Sequence, residues 1–292
     1  MADTLFCIGN LTIDEAVSPA GERVESVGGD ALFAALAARL AGGHPSIVAP
    51  LGTDATPALL AAIRSSGTDP DTLPHRDLPT IRNIVSYDAA GGRTWDLVRG
   101  GDHFEALSVQ PADITDAALA APGILLSAMA LQAQLELAAW LRPRTAATIY
   151  FDPQEDYIAG HQAELLDAVA ACDVFLPSEV EAAALTGIAH PGKAVRALLD
   201  LGPHTVVVKL AEAGCIVATR EHPMPKAVPT DAVHAVDSTG AGDAFCGAFA
   251  AEHLRSADPY AAARAGAAAA AIAVSANGID ALLTAVTAGA PR

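Results

Sequence analysis

Near its carboxyl end the chain reads Asp237-Ser238-Thr239-Gly240-Ala241-Gly242-Asp243 and continues into the small, apolar run 244–249. Residues 232–236 are predicted to form a short strand and residues 244–254 a helix, so the glycines fall on a strand-to-helix turn. Glycine lets the backbone bend tightly and lets an anion approach without a Cβ in the way. This stretch therefore predicts an α/β fold with an anion site at the start of a helix.

The same turn carries a carboxylate, Asp243, beside the predicted anion site. The first N–H groups of a helix lack partners within the helix and, with the helix dipole, attract an anion. We expect the N–H groups of Ala241, Gly242 and Asp243 to stabilise a transferring phosphoryl group, with Gly240 completing the anion hole. Asp243 is predicted to be the general base that takes the proton of the attacking hydroxyl group.

Length, composition and charge limit the class of protein. The chain has 292 residues, of which 52% are hydrophobic, so one large α/β domain over residues 1–292 can bury a sizeable core. The formal net charge of −17 disfavours nucleic acid and anionic membranes as partners. The start of the chain has no basic region typical of a signal peptide, and the four cysteines are scattered. We therefore expect a cytoplasmic protein with buried free thiols.

Short apolar segments alternate with helical segments along most of the chain, which predicts a mostly parallel sheet covered on both faces. The predicted strands of this sheet are residues 5–9, 46–50, 123–127, 148–152, 174–177 and 205–209, and a helix is predicted at 31–41. Segments 13–27 and 81–99 break the rhythm. They are predicted to form a small β-lid, with residues 88–92 as the turn of a hairpin.

The string D-x-T-G-A-G-D at Asp237–Asp243 resembles the signature of the ribokinase-like (PfkB-type) carbohydrate kinases. Further elements spread this resemblance over nearly the whole chain. It implies a ribokinase-like three-layer α/β sandwich, with a central mostly parallel sheet plus the small β-lid. It also implies ATP and Mg²⁺ as cofactors.

The amino-terminal half resembles the acceptor-binding side of that family. Asp14, in Gly9-Asn10-Leu11-Thr12-Ile13-Asp14, matches a substrate-binding aspartate, and Gly28-Gly29-Asp30 matches a di-glycine turn that approaches the sugar. Phe33 stands where typical members have an asparagine that touches the sugar. Phe33 is thus either a stacking surface for the acceptor or an ordinary residue of the helix core.

The nucleotide side is carried by matches further along the chain. Ser178-Glu179-Val180-Glu181 resembles the N-x-x-E motif, with Ser178 in place of asparagine and Glu181 implied to hold hydrated Mg²⁺. The turn after a strand at 209–214 matches a nucleotide-binding turn, in which Ala211 replaces the usual glycine. The implied ATP-binding residues are Ser178, Lys209, Glu212, Gly214 and Ala267.

The resemblance also implies a monovalent-cation site for K⁺. Its residues lie around the signature and after the penultimate helix, at Asp237, Thr239, Ala273, Ala276 and Gly278.

These observations predict an ATP-dependent kinase that phosphorylates a hydroxyl group of a sugar or related polyol, with a nucleoside or inositol kinase of the same fold as the alternative. Two other classes stay open: a dinucleotide-dependent oxidoreductase, and a protein that binds its ligand without turnover. The first is disfavoured because the third glycine of the dinucleotide fingerprint is misplaced after Gly240-Ala241-Gly242. A homodimer through the β-lid is a further prediction.

Overall fold

The computed structural model describes residues 4–87 and 93–289. Its strands are β1 (Thr4–Ile8), β2 (Thr12–Val17), β3 (Arg23–Gly28), β4 (His44–Val48), β5 (Ile81–Tyr87), β6 (Arg93–Leu97), β7 (Gly123–Leu126), β8 (Thr148–Phe151), β9 (Val174–Phe175), β10 (Thr205–Lys209), β11 (Cys215–Thr219) and β12 (Lys226–Val228). Its α-helices are α1 (Asp30–Leu40), α2 (Pro57–Ser66), α3 (Gly100–Ala106), α4 (Asp116–Leu119), α5 (Leu131–Leu141), α6 (Gln162–Ala171), α7 (Glu179–Thr186), α8 (Pro191–Leu199), α9 (Ala241–Ser256), α10 (Pro259–Ala273) and α11 (Asp280–Thr287).

The central sheet has eight strands in the order β12-β11-β10-β9-β8-β7-β1-β4. All neighbours from β10 to β4 run parallel, whereas β11 and β12 add to one edge in antiparallel orientation. Parallel strands need crossover connections, which are helices here, and the helices cover both faces. The mostly parallel α/β architecture expected from the sequence is confirmed.

Two apolar cores lie on the opposite faces of this sheet. Because side chains alternate along a strand, Cys7 belongs to one core and Ile8 to the other. The core that includes Cys7 packs α1, α2, α9, α10 and α11, and the core that includes Ile8 packs α5, α6, α7 and α8. Two helical layers around one sheet make the three-layer sandwich.

A second sheet of four strands, in the order β3-β2-β5-β6, forms the β-lid. Strand β2 pairs antiparallel with β3 and parallel with β5, and β5 pairs antiparallel with β6. Four strands lie in or beside the predicted lid segments 13–27 and 81–99, with residues 18–22 connecting β2 to β3, while the predicted turn at 88–92 lies outside the described residues. The lid begins next to the main sheet, since β2 follows β1 after three residues.

The strand predicted at 232–236 is wrong. These residues form an irregular segment with exposed side chains, and Val233 and Val236 are about half exposed. Neighbouring residues Val236 and Asp237 both donate their N–H groups to the carbonyl oxygen of Val274, at 2.7 and 3.3 Å, which no strand ladder does. The valines and alanines suggested a strand, but no strand among the described residues pairs with this segment.

All four cysteines are buried free thiols, as expected. In the part of the chain that the structure describes, no helix has both the length and the apolar character needed to cross a membrane.

Helices α1 and α9 cross at very short range. A Cβ on Gly247 of α9 would lie 2.0 Å from the carbonyl oxygen of Ala34 in α1, so only glycine allows this approach. Both helices start at the same edge of the molecule, α1 after the di-glycine turn and α9 after the D-x-T-G-A-G turn. The crossing therefore fixes the distance between those two turns.

Gly247→Ala is expected to lower the free energy of unfolding by about 1–3 kcal/mol, the usual cost of overpacking a filled core. Alanine is the better helix former, but its propensity gain of about 1 kcal/mol does not offset a clash with backbone. Urea denaturation measures the change. Gly101→Ala in α3 is the matched control, because a Cβ there meets nothing within 4 Å. Equal stability of the two variants would contradict the close crossing.

Candidate active site

The polar residues of the candidate site gather where the parallel strands end. Asn10 follows β1, Asp152 follows β8 and Lys209 ends β10. In open α/β sheets, ligands bind at the carboxyl ends of the strands, because loops and helix N-termini meet there. The lid strand β2 and the N-termini of α1 and α9 close the same space.

Helix α9 begins with the glycine turn that the sequence predicts. Gly240 is its N-cap, in the left-handed region at φ 72°, and no side chain caps the helix. The N–H group of Ala244 bonds back to the Gly240 carbonyl oxygen at 2.9 Å, in the helical pattern. Residues 241–243 precede it, so helix geometry gives their N–H groups no acceptor within the helix and suits them to an anion. The Ala241 N–H group makes one long bond outside the helix, to the Ser238 carbonyl oxygen at 3.4 Å.

Asp243 lies in the first turn of α9 and is half-buried. Burial raises the pKa of its carboxyl group to about 7, and the nearby Asp152 carboxylate adds to this rise, while Lys209 opposes it. A carboxylate with a pKa near neutrality is a stronger base than an ordinary aspartate and is still ionised in part at pH 7.

A charged cluster of Asp152, Lys209 and Cys246 lies beside this turn. Lys209 Nζ is 2.6 Å from Asp152 Oδ1 and 3.5 Å from Cys246 Sγ, and the Cys246 thiol donates to Asp152 Oδ2 at 3.3 Å. Burial alone would lower the pKa of Lys209, but Asp152, Cys246 and Glu181 outweigh it and raise that pKa. Lys209 is therefore an ammonium group throughout the physiological pH range.

Asp30, the first residue of α1, faces the same space. Asn10 Nδ2 donates to Asp30 Oδ2 at 3.4 Å. Burial, followed by the charges of Asp243 and Asp152, holds the pKa of Asp30 well above its usual range. The three aspartates come from distant parts of the sequence and repel one another across one small volume.

The acceptor side is built around Asp14 on the lid strand β2. Both carboxylate oxygens are held: Thr12 Oγ1 donates to Oδ2 at 2.8 Å, and Asn83 Nδ2 of β5 donates to Oδ1 at 2.7 Å. Burial raises the pKa of Asp14, which is 8% exposed, and these two hydrogen bonds counteract the rise. A Cβ on Gly28 would lie 2.9 Å from Asp14 Oδ2, so the di-glycine turn adjoins this carboxylate.

Phe33 fills the space between two glycine turns. A Cβ on Gly240 would lie 2.3 Å from its ring, and a Cβ on Gly28 would lie 3.2 Å from it. The side chain is only 2% exposed and belongs to the core below the site. This position favours the core interpretation of Phe33, and a direct contact with an acceptor stays a prediction.

Ser178, which stands where the N-x-x-E motif has asparagine, has a role in the local structure. The Ser178 hydroxyl accepts from the N–H group of Glu181 at 3.2 Å, and Glu181 Oε2 accepts from the N–H group of Ser178 at 2.6 Å. This reciprocal pair is a capping box that starts α7, a role open to serine as well as to asparagine.

Glu181 fits the role of an outer ligand to Mg²⁺. It is 7% exposed, and burial raises its pKa to about 7, against the opposing charge of Lys209. The positive charge near the Glu181 carboxylate does not offset the cost of its burial, so a nearby cation would stabilise the ionised form. Among the described residues, no group of three or more His, Cys, Asp or Glu side chains could hold a metal alone. That suits Mg²⁺, which keeps waters and phosphate oxygens as ligands.

The turn that the sequence predicts to bind the nucleotide follows β10. Residues Ala211–Ala213 form a 3₁₀ turn, and Ala211 has φ 49°, which explains why a glycine is usual there. Gly214 has φ 86°, and a Cβ on it would lie 2.2 Å from a backbone oxygen of Val228. Glu212 is exposed on this turn, whereas Ala267 is buried in α10 and offers its carbonyl oxygen to Thr230 Oγ1 at 3.5 Å.

The predicted K⁺ residues also meet. Asp237 Oδ1 accepts from the N–H group of Thr239 at 2.9 Å, and its Oδ2 accepts from the N–H group of Gly278 at 3.0 Å. Asp237 thereby ties the signature turn to the residues after α10, where Ala276 and Gly278 lie, while Ala273 is the last residue of α10. A Cβ on Gly278 would lie 3.2 Å from the Ser26 side chain, so the lid also contacts this segment.

Four residues near the site were given no role by the sequence analysis: Asn10, Asn83, Asp152 and Cys246. Asn10 and Asp152 lie directly after buried strands, which is a signal that sequence reasoning can use. Asn83 lies within a lid strand and Cys246 within an apolar helix, so only the tertiary structure brings them to the site.

Comparison with known proteins gives a family for the chain. The model of the pfkB family carbohydrate kinase matches residues 4–285. Cytidine kinase of Thermococcus kodakarensis is 32% identical over 260 residues, which cover 86% of this chain and 88% of that protein. Ribokinase of Mus musculus is 46% identical over 82 residues, so the match spans only 25% of that protein's length.

Solved structures share the fold over nearly the whole chain. Adenosine kinase from Sinorhizobium meliloti has a TM-score of 0.80 at 20% identity and covers 99% of both chains. Fructokinase from Vibrio cholerae O395, bound to fructose, ADP and calcium ion, has a TM-score of 0.79 at 23% identity and covers 98% of both. At these identities the likeness establishes the fold.

The glycines at 240 and 242 are expected to respond differently to alanine. Gly240→Ala places a side chain at φ 72° and against the Phe33 ring, so it should lower the free energy of unfolding by about 1 kcal/mol or more. Gly242 is helical, and a Cβ there meets only Lys209 Nζ, at 3.5 Å. Gly242→Ala should keep the stability and weaken ATP use, seen as a higher KM for ATP or a lower kcat. Wild-type ATP kinetics in Gly242→Ala would contradict an anion site here.

Proposed function

We propose that this chain, which belongs to the pfkB family of carbohydrate kinases, phosphorylates a hydroxyl group of a sugar-like acceptor with Asp243 as its general base. Membership of the family makes the chain an ATP-dependent phosphotransferase with an alcohol acceptor. It also overturns the alternatives of an oxidoreductase and of a ligand-binding protein without turnover. The observation that carries the residue roles is the half-buried Asp243, with its raised pKa, at the N-terminus of α9, which no side chain caps.

The chemistry divides between the two sides of the site. Asp243 takes the proton of the acceptor hydroxyl as that oxygen attacks the terminal phosphorus atom of ATP. The N–H groups of Ala241, Gly242 and Asp243 stabilise the negative charge on the transferring phosphoryl group. Mg²⁺, held through water by Glu181, supplies charge neutralisation on the phosphates when it is bound.

A polyhydroxylated acceptor matches the polar atoms around Asp14. Within the described residues, the side-chain oxygens of Asn10 and Asn83 are buried and have no hydrogen-bond partner. Buried polar atoms without partners are costly, and hydroxyl groups of a ligand would satisfy them. Together with Asp14 they offer three hydrogen-bond acceptors to neighbouring hydroxyls, as a ribose-type ring or a polyol presents them.

A nucleoside is the second candidate for the acceptor. The relative that matches most of the chain at 32% identity acts on cytidine, according to its name. The ribose ring of a nucleoside presents the same hydroxyl groups as the free sugar, so the residues around Asp14 suit both. A turnover panel of ribose, fructose, myo-inositol, cytidine and adenosine with ATP decides between them.

Other parts of the proposal rest on the family resemblance. K⁺ would bind near Asp237, and higher rates in K⁺ than in Na⁺ would support this site. The single-domain interpretation, the homodimer through the β-lid and the cytoplasmic location stay predictions.

Asp243→Asn is expected to fold normally and to lose kcat by about 10²–10⁴-fold, because the amide keeps the shape of the side chain but cannot accept the proton. The measurement is ADP release with the best acceptor of the panel, alongside the melting temperature. Asp116→Asn, at an exposed first-turn position of α4, is the control and should keep full activity. More than about a tenth of wild-type kcat in Asp243→Asn would rule out the base role.

Asn83→Ala is expected to raise the KM of the acceptor by about three- to tenfold, the worth of one or two hydrogen bonds. The KM for ATP should stay close to the wild-type value, since Asn83 lies on the lid beside Asp14. Ser86→Ala, on the same strand, is the control. An equal effect on both substrates would show that Asn83 supports the fold rather than the acceptor.

A further inference from the structure

The cluster of Asp152, Lys209 and Cys246 has a geometry that the proposed mechanism does not yet use. The three residues come from the end of β8, the end of β10 and the second turn of α9. Asp152 is 5% exposed and Cys246 is fully buried. Both oxygens of Asp152 are engaged, Oδ1 by the Lys209 ammonium group and Oδ2 by the Cys246 thiol. The Asp152 carboxylate therefore fixes the Lys209 ammonium group, and the Cys246 thiol in turn fixes that carboxylate.

The held ammonium group lies beside the anion hole. A Cβ on Gly242 would be 3.5 Å from Lys209 Nζ. Little more than the backbone of the first turn of α9 thus lies between the Lys209 ammonium group and the proposed position of the transferring phosphoryl group. A charge this close, in a site shielded from water, acts on the reacting groups far more strongly than a surface charge does.

The surroundings of Asp243 are otherwise negative or neutral. Asp30 faces it from α1, Asp152 from the end of β8, and the Cys246 thiol from its own helix, while Glu181 of α7 acts on Lys209. Among these groups, which lie within the described part of the chain, Lys209 is the cation. Lys209 and Asp152 act on the Asp243 carboxyl in opposite directions.

We propose that Lys209 and Asp152 are a positioning pair, in which Asp152 fixes the Lys209 ammonium group beside Gly242 so that its charge serves both the base and the transferring phosphoryl group. This inference rests on the proposed function. It goes beyond a nucleotide-binding role for Lys209, because it couples that lysine to the proton-accepting step through Asp152. A buried ion pair contributes little net stability, because desolvation offsets the attraction between its charges. A contribution to the stability of the fold therefore does not explain why Lys209 and Asp152 are paired here.

The positioning pair predicts the direction in which the acid limb of the pH profile of kcat/KM moves when either charge is removed. Asp243 must be ionised to accept a proton, so activity falls on the acid side as pH drops through the pKa of Asp243, near 7. Removing the Lys209 charge raises that pKa and moves the acid limb to higher pH. Removing the Asp152 charge lowers that pKa and moves the limb to lower pH. A partial loss of folded structure in the two variants would not move their acid limbs in opposite directions.

The experiment compares Lys209→Met and Asp152→Asn with the wild type, using the panel acceptor of highest turnover. We expect the acid limb to move up by about one pH unit in Lys209→Met and down in Asp152→Asn, the usual effect of one nearby charge. We also expect kcat of Lys209→Met to fall about a hundredfold, as when one stabilising group of an anion hole is removed.

Two further variants keep the test decisive. Arg142→Met breaks another ion pair, with Asp173 at 2.8 Å, before β9 at the opposite end of the strands. It should lower the melting temperature without moving the limb. The double variant Lys209→Met/Asp152→Asn removes both charges of the pair, so neither is left without the other. It should fold even where a single variant does not, and should keep the limb near its wild-type position with a low kcat.

The outcomes separate this inference from the proposed function. If Asp243→Asn is inactive but both single variants keep the wild-type limb, or move it in the same direction, the positioning pair is refuted and the base role stands. A double variant with wild-type kcat refutes the pair as well. If Asp243→Asn remains active, the proposed base itself is wrong.

Discussion

The close crossing of α1 and α9 is the constraint on which the site depends. At Gly247 and Ala34 the two backbones approach so closely that no side chain fits between them. Helix α1 starts after the di-glycine turn that is predicted to bind the acceptor, and α9 after the turn that is predicted to form the anion hole. Phosphoryl transfer needs the acceptor oxygen and the phosphorus atom within a few tenths of an ångström of their productive positions. A rigid backbone contact sets that separation more reliably than loops could.

The local arrangement of charges at the site differs from the net negative charge of the whole chain. The chain carries a net charge of −17, which repels a nucleotide at long range. At the site, oriented N–H groups and one lysine oppose this charge, while Asp30, Asp152, Asp243 and Glu181 crowd around them. Burial, together with this crowding, raises the pKa values of Asp30, Asp243 and Glu181. The acidic excess thus suits Asp243 to the proposed role of a base, for which an ordinary aspartate is too weak.

Sequence patterns predicted the sheet, the lid and the anion turn because each depends on local chemistry. Alternation of apolar segments, glycines at turns and helix formers are properties of short stretches. The segment 232–236 resisted prediction because a strand requires a partner strand, and the sequence does not show which neighbours are available. Cys246 and Asn83 were missed for a related reason: their roles come from contacts with residues 94 and 69 positions away. Ser178 looked like a weakened motif but is a sound helix cap.

The ring of Phe33, wedged between Gly28 and Gly240, makes three distant positions one steric unit. Contacting residues of this kind do not respond independently to substitution, so their energetic effects are coupled. A smaller residue at position 33 would leave a void in the wall shared by the acceptor turn and the anion hole, and voids in a packed core are costly. A change of acceptor preference in this lineage that began at position 33 would therefore pass through a less stable intermediate sequence, until a second substitution refilled the wall.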